Sequence, residues 1–269
     1  LFSLSHNLRR PESMKKKLLL LACIIWTLND INAQEDRNLR FAFAVQPSVS
    51  WIKPDIASLE REGNRIGFAY GVLSDIRLGS SPNYWFSTGI MVNSQGGTLL
   101  NTKYHDEKTL SSDETTLYPT FAIATEKYKL QYIDIPLTLK LKTNEIGYMT
   151  YYGQFGMDLG FNIKARKDVE YHFSDNIDRT IDDENISDET RLFRAALQIG
   201  LGGEYNISGS TSILAGIVWN NGLNSVIGSN YFDEDDTGKP IVSSENKLEE
   251  GAKIKAISNY IGLTLGVFF

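Results

Sequence analysis

The chain has 269 residues, 42% hydrophobic, 22% charged and 11% aromatic, with 22 Gly, one Cys and a formal charge of -6. This apolar and aromatic content excludes a disordered chain, the single Cys excludes a disulfide scaffold, and the acidic balance argues against nucleic acid as a partner. A mean hydropathy of -0.23 leaves no room for a bundle of membrane helices, each of which needs about 20 apolar residues.

The first element is a processing signal. Met14 is followed by Lys15, Lys16 and Lys17, an apolar run over 18–28, and Ile31-Asn32-Ala33. A basic start, an apolar stretch and a small residue at the cut describe a secretory signal peptide spanning 14–33. Residues 1–13 are read as an over-extended gene start. Leu20-Leu21-Ala22-Cys23 imitates a lipoprotein box, but cleavage at Cys23 would leave an apolar stretch of only about five residues, against the 7–15 expected. Cutting after Ala33 removes Cys23 together with five basic and two acidic residues, so the mature segment 34–269 has no cysteine and a charge of -9.

Along that segment apolar residues recur with period two, the mark of strands with two unlike faces. Residues 40–51 alternate Phe41, Phe43, Val45, Val49 and Trp51 with Ala42, Ala44, Gln46, Ser48 and Ser50. Residues 65–78 set Ile66, Phe68, Tyr70, Val72, Ile76 and Leu78 against small or charged residues including Asp75 and Arg77. In 84–95 Phe86, Ile90 and Val92 oppose Ser87, Gly89, Asn93 and Gln95, with Trp85 and Met91 breaking the pattern. The clearest runs are 131–142, with Ile133, Ile135, Leu137, Leu139 and Leu141 on one face, and 148–165, with Met149 to Ile163 on one face and Asp158 and Lys164 on the other. Residues 193–207 and the run to Phe269 repeat the pattern; 210–223 is poorest, because Leu214 and Val218 fall on the small face. These are eight strands, most long enough to cross a bilayer at a tilt. Residues 117–130 keep the parity of 131–142, so the fourth strand is expected to project well above the membrane; an added hairpin giving ten strands is the alternative.

A soluble sandwich turns its polar face to water. Here the second face is rich in Gly, Ala, Ser and Thr, which suit a crowded interior. Asp75, Arg77, Asp134, Lys140, Asp158, Lys164, Arg194 and Glu204 are nearly balanced in sign and suit a buried polar network. Both features fit an all-β, eight-stranded antiparallel up-and-down transmembrane barrel, apolar outward and polar inward. Connections alternate in length: 79–83, 143–147 and 208–209 are short, whereas 52–64, 96–126, 166–192 and 224–256 are long. Short periplasmic turns and long external loops behave this way, which places both termini in the periplasm of an outer-membrane protein. Phe269, closing an alternating strand, reads as a C-terminal barrel-assembly signal. Tyr132, Tyr148, Tyr151, Tyr152, Trp219, Tyr260 and Phe269 are expected in the interfacial aromatic girdles.

Tyr132-Ile133-Asp134-Ile135-Pro136-Leu137-Thr138-Leu139-Lys140, with Tyr152 to Gly160 and Tyr260 to Phe269, resembles the strands of the PorT-like outer-membrane β-barrel family. The resemblance implies a Bacteroidota-type eight-stranded barrel, linked in its named members to type IX secretion, and it carries over no catalytic residues.

The sequence holds no Walker loop, dinucleotide fingerprint or metal-type Cys/His spacing, and no cofactor is expected. His6, His105 and His172 are far apart; His105 or His172 could join Asp106 or Ser174 at a rim, but such residues are common in loops. Asp233-Glu234-Asp235-Asp236 could hold Ca²⁺, though a solvated charge run is the plainer reading. The lumen charges read as a plug of mutual ion pairs, because eight strands enclose a space that side chains can fill; a water pathway is the alternative. The function expected is therefore non-enzymatic: an accessory, structural or interaction protein working through four long external loops. Its expected partners are outer-membrane lipid, lipopolysaccharide, the barrel-assembly machinery and secretion-system proteins. A small pore and a soluble periplasmic β-sandwich are the competing expectations.

Overall fold

A computed structural model describes residues 38–55, 59–104, 122–173, 178–228, 230–232, 250–253 and 255–269. The expected signal peptide, His105 with Asp106, Ser174 and the Asp233–Asp236 run lie outside the described residues. The elements are all strands: β1 (Leu39–Pro54), β2 (Leu59–Arg77), β3 (Tyr84–Tyr104), β4 (Ala122–Lys142), β5 (Met149–Phe173), β6 (Asp178–Asn185), β7 (Phe193–Ser208), β8 (Thr211–Gly222), β9 (Asn230–Phe232), β10 (Glu250–Lys253) and β11 (Ala256–Phe268).

Eight of them, β1–β5, β7, β8 and β11, pair antiparallel with their neighbours, and β11 closes the ring onto β1 from Ala42↔Phe268 to Pro54↔Ala256. The remaining strands do not enlarge the ring to ten. β6 folds back as a hairpin on β5, and among the described residues β9 pairs only with β10. The closed ring with an apolar exterior overturns the soluble sandwich. Phe43, Val45, Ile66, Phe68, Ile90, Phe155, Leu201, Ile217, Leu263 and Val267 are exposed, while Ala42, Gln46, Ser50, Asp75, Asn93, Asp134, Asp158 and Arg194 are buried inside. Apolar side chains outward and polar ones inward is the pattern of a barrel whose solvent is lipid.

The short connections are turns, and Gly209 shows how they close: its φ of +54° is a left-handed conformation that costs glycine nothing. Among the described residues, parts of the long connections expected from the sequence are instead strand. Residues 96–104 continue β3, 122–126 begin β4, and 166–173 and 178–185 form the β5–β6 hairpin. With 21, 21 and 25 residues, β3, β4 and β5 far exceed the 9–11 that span a bilayer. Together with β6 they form a wall standing at the loop end of the barrel. Near that end β2 bulges between Asn64 and Phe68, leaving Ile66 85% exposed. There β3 approaches β1 directly, and a Cβ on Gly97 would lie 2.6 Å from the Ile52 amide nitrogen.

Candidate functional site

The lumen is occupied at three levels. At the turn end, Lys140 Nζ donates to both oxygens of Asp75 at 2.9 Å, and Lys142 Nζ bridges Asp75 Oδ2 at 3.1 Å and Glu204 Oε1 at 2.8 Å. Arg40 completes the chain, donating to Glu204 Oε2 at 2.8 Å and Ser212 at 3.2 Å. Aromatic faces pack against these cations. The Phe268 ring lies 4.3 Å from the Arg40 guanidinium, Trp85 lies 4.5 Å from Lys142 Nζ, and Tyr152 lies 4.9 Å from Lys140 Nζ. Three cations and two carboxylates thus form one buried network in which every charge has an opposite partner, the condition for burying charge at all.

Halfway up the barrel, Asp158 Oδ2 accepts hydrogen bonds from Asn220 Nδ2 at 2.9 Å and Arg194 Nη1 at 3.4 Å. Arg194 Nη2 reaches the Ser258 carbonyl at 3.1 Å and Asn220 Oδ1. Asp134 Oδ2 accepts from Asn93 Nδ2 at 2.7 Å. Between these two levels a chamber of about 40 Å³ is lined by Gln46, Met91, Thr138, Gln154, Gln198 and Tyr260, among others. That is room for about three water molecules.

At the loop end the lid is apolar. Ile52, Leu99, Tyr128, Leu130, Tyr132, Ala165, Ile186, Val226, Ile227 and Ala256 form one buried cluster. Ile186, Val226 and Ile227 belong to two connecting segments that are hydrogen-bonded to each other, Arg191 N donating to Val226 O at 2.9 Å and Gly228 N to Glu189 O at 2.7 Å, while Val226 N donates to the Ala256 carbonyl of β11 at 2.8 Å.

Several expected positions shift. Lys164 is exposed, not in the lumen. Tyr132 pairs with Asn162 and Gln131 with Lys164, so Ile163 is an extra residue, and a bulge of this kind re-aims the side chains beyond it. Arg77 is half-buried at the turn-end rim, its guanidinium 5.4 Å from the Trp85 ring. Trp85 and Met91 do not break the alternation of β3. They point inward and are buried, as are Leu214 and Val218; all four fill the lumen. Tyr132, Tyr152 and Tyr260 are likewise lumen residues, not girdle residues. Tyr148, Tyr151, Trp219 and Phe269 do face outward, and Phe269 stacks on Phe43 at 5.3 Å. The polar network expected from the sequence does not include Arg40, Lys142, Asn93 and Asn220, although Asn93 and Lys142 fall on its inward faces. Lys142 shares the parity of Lys140, and Arg40 that of Ala42, which was the available signal. The two asparagines carry no charge, so a search for charge balance passes over them.

The wall at the loop end has its own electrostatics. Lys129 pairs with Asp168 at 2.6 Å, Lys127 with Glu170 at 2.6 Å, Arg166 with Asp183 at 2.6 Å and Lys167 with Glu189 at 3.2 Å. Burial works to raise the Asp168 carboxyl, but hydrogen bonds from Lys129 and the Asp183 amide outweigh it and hold the group below its ordinary value. Burial works to lower Lys167, and the Glu126 and Glu189 carboxylates overcome it, raising the ammonium. Burial and then Glu126 push the Tyr128 phenol well up; its hydroxyl lies 2.5 Å from Glu126 Oε2. Among the described residues, no group of three or more His, Cys, Asp or Glu side chains is placed to hold a metal ion.

No curated protein sequence matches the chain. Among solved structures it is similar to neisserial surface protein A of Neisseria, at 10% identity, with 85% of this chain and 95% of that one covered and a TM-score of 0.39. It is also similar to Ail, the attachment invasion locus protein of Yersinia pestis, at 12% identity, with 87% and 100% covered and a TM-score of 0.30. A third is the outer membrane protease OmpT of Escherichia coli, at 9% identity, with 86% and 96% covered and a TM-score of 0.36. The family model for the outer membrane protein β-barrel domain matches residues 32–228. With that match across most of the chain and a closed eight-stranded ring, the protein belongs to the outer membrane β-barrel domain family.

Proposed function

We propose that this protein is a non-enzymatic, non-conducting outer-membrane barrel that acts by contact, through the wall that β3–β6 raise at its loop end. The observation that carries this reading is the lumen, occupied by an ion-paired layer at the turn end and an apolar lid at the loop end, with room between them for only a few waters. In this reading the short turns and both chain ends lie in the periplasm and the wall stands outside the cell. Lipid and lipopolysaccharide surround the belt, and the barrel-assembly machinery inserts it. The likeness of Tyr132–Lys140 to the PorT strand supports an accessory role in type IX secretion.

Two measurements test it. The purified barrel in planar bilayers is expected to be electrically silent; open-channel steps would replace this reading by that of a small pore. Deleting the gene is expected to impair export of type IX cargo, and normal secretion and surface display would remove the secretion role.

A further inference from the structure

On β5 the outward apolar belt starts at Tyr151 and runs through Phe155 and Met157 to Phe161 and Ile163. The ten-residue step from Tyr151 to Phe161 rises about 25 Å at a barrel tilt near 40°, which is the height of the apolar band of such barrels. Phe161 packs edge-on against Phe193, ring centroids 5.7 Å apart. The belt therefore ends at Phe161 and Ile163, and Ile163 is itself the bulged residue. Because Ile163 is the extra residue, Ala165 turns inward and is buried while Lys164 turns outward. Lys164 is exposed and has no ion-pair partner among the described residues. Two residues further along the same β4–β5 pair, Lys129 faces Arg166 on the same outer surface. Both are held from the far side, Lys129 by Asp168 and Arg166 by Asp183, each at 2.6 Å. Asp168 lies beyond Lys129 and Arg166 in the register, opposite Lys127, and the Asp183 amide bonds to it. Three cations thus stand against the edge of the apolar belt, two of them, Lys129 and Arg166, with an acid behind them.

We propose that Lys164, Lys129 and Arg166 bind the phosphate headgroup of an anionic lipid in the leaflet on the loop side, its acyl chains lying along Ile163, Phe161 and Phe193. A phosphate takes charge-assisted hydrogen bonds from ammonium and guanidinium groups alike. Only a lipid also uses the apolar surface directly below, so the site is assigned to a lipid and not to free phosphate. The inference rests on the belt spanning a membrane and is independent of the contact role proposed above.

The test uses the full chain folded into vesicles of phosphatidylcholine doped with phosphatidic acid, with bound lipid read by native mass spectrometry. The unmodified protein is expected to retain phosphatidic acid preferentially. Lys164→Gln should weaken that retention about fivefold, the effect of one interfacial cation. Lys129→Gln should give a smaller loss, because its ammonium is shared with Asp168. Lys53→Gln, an exposed lysine near the loop end of β1, should leave retention unchanged. Unchanged retention in Lys164→Gln would overturn the site. So would an equal loss in Lys53→Gln, which would mean unspecific attraction, or displacement of the lipid by dissolved inorganic phosphate, which would mean a free-anion site. Heat-modifiable gel migration confirms that each variant is folded.

Discussion

Asp75 is the residue on which the turn-end layer depends. It is fully buried and accepts from both Lys140 and Lys142. Replacing Lys140 by Met removes one of its two partners and leaves carboxylate charge in a medium that cannot solvate it. Breaking a buried pair from one side costs about 3–5 kcal/mol, so denaturant unfolding in vesicles should show a loss of that size. Removing both charges, Asp75→Leu with Lys140→Met, should recover much of it, because the desolvation cost disappears with the pair. A double variant as unstable as the single one would show that Asp75 serves some purpose other than balancing charge. Gly97 constrains the fold by the opposite means, through an absent side chain. A Cβ there meets the Ile52 amide nitrogen at 2.6 Å and Trp51 Cα at 3.1 Å. Gly97→Val should therefore push β3 away from β1 and cost at least about 1–3 kcal/mol, the range for overpacking, read by the same unfolding experiment.

The wall of β3–β6 answers to pH through Asp168. Its carboxylate takes Lys129 on one side and the Asp183 amide, at 2.9 Å, on the other, and its folded value lies below that of an unfolded carboxylate. The stabilisation is therefore complete above about pH 4, the ordinary carboxylate value. It is lost as pH falls through the lower folded value. Hydrogen exchange should show the Asp183 amide protected at neutral pH and deprotected in acid below that point, and Lys129→Gln should move the loss to higher pH. Protection that persists unchanged into strong acid would rule Asp168 out as the anchor. The same elements show what the sequence could reveal. The period-two pattern of 131–142 was legible because its outward residues are uniformly aliphatic and its inward ones mostly polar or small. Trp85 and Met91 misled because a lumen needs large residues to fill it, so apolarity alone does not mark the lipid face. The Lys164 position was hidden because a one-residue bulge flips parity without any change in composition. The β6 segment Asp178-Arg-Thr-Ile-Asp-Asp-Glu-Asn185 reads as loop because it carries charges that strands usually avoid; it forms by pairing with β5, a tertiary contact the local sequence does not announce.

At the scale of the whole barrel, the proposed non-conducting role rests on two ends filled by different physics and lying in series. The turn end is closed by a charged network, Asp75, Lys140, Lys142, Glu204 and Arg40, whose members would be well solvated if water reached them. The loop end is closed by apolar side chains from two segments that bond to each other. On that reading the apolar cluster limits water above the ion pairs, and charges attract far more in a low-dielectric interior than in water. Ion conduction needs both barriers removed, because the higher of two barriers in series limits the flow. Substituting Ile186, Val226 and Ile227 by Ser should therefore let water reach the chamber without producing current. Lys140→Ala with Arg40→Ala should loosen the turn end and also remain silent while the lid is intact. The combined variant should conduct in planar bilayers. Conductance from the lid variant alone would mean that the charged layer is already permeable, and the barrel would then be a gated pore and not a sealed platform for its wall.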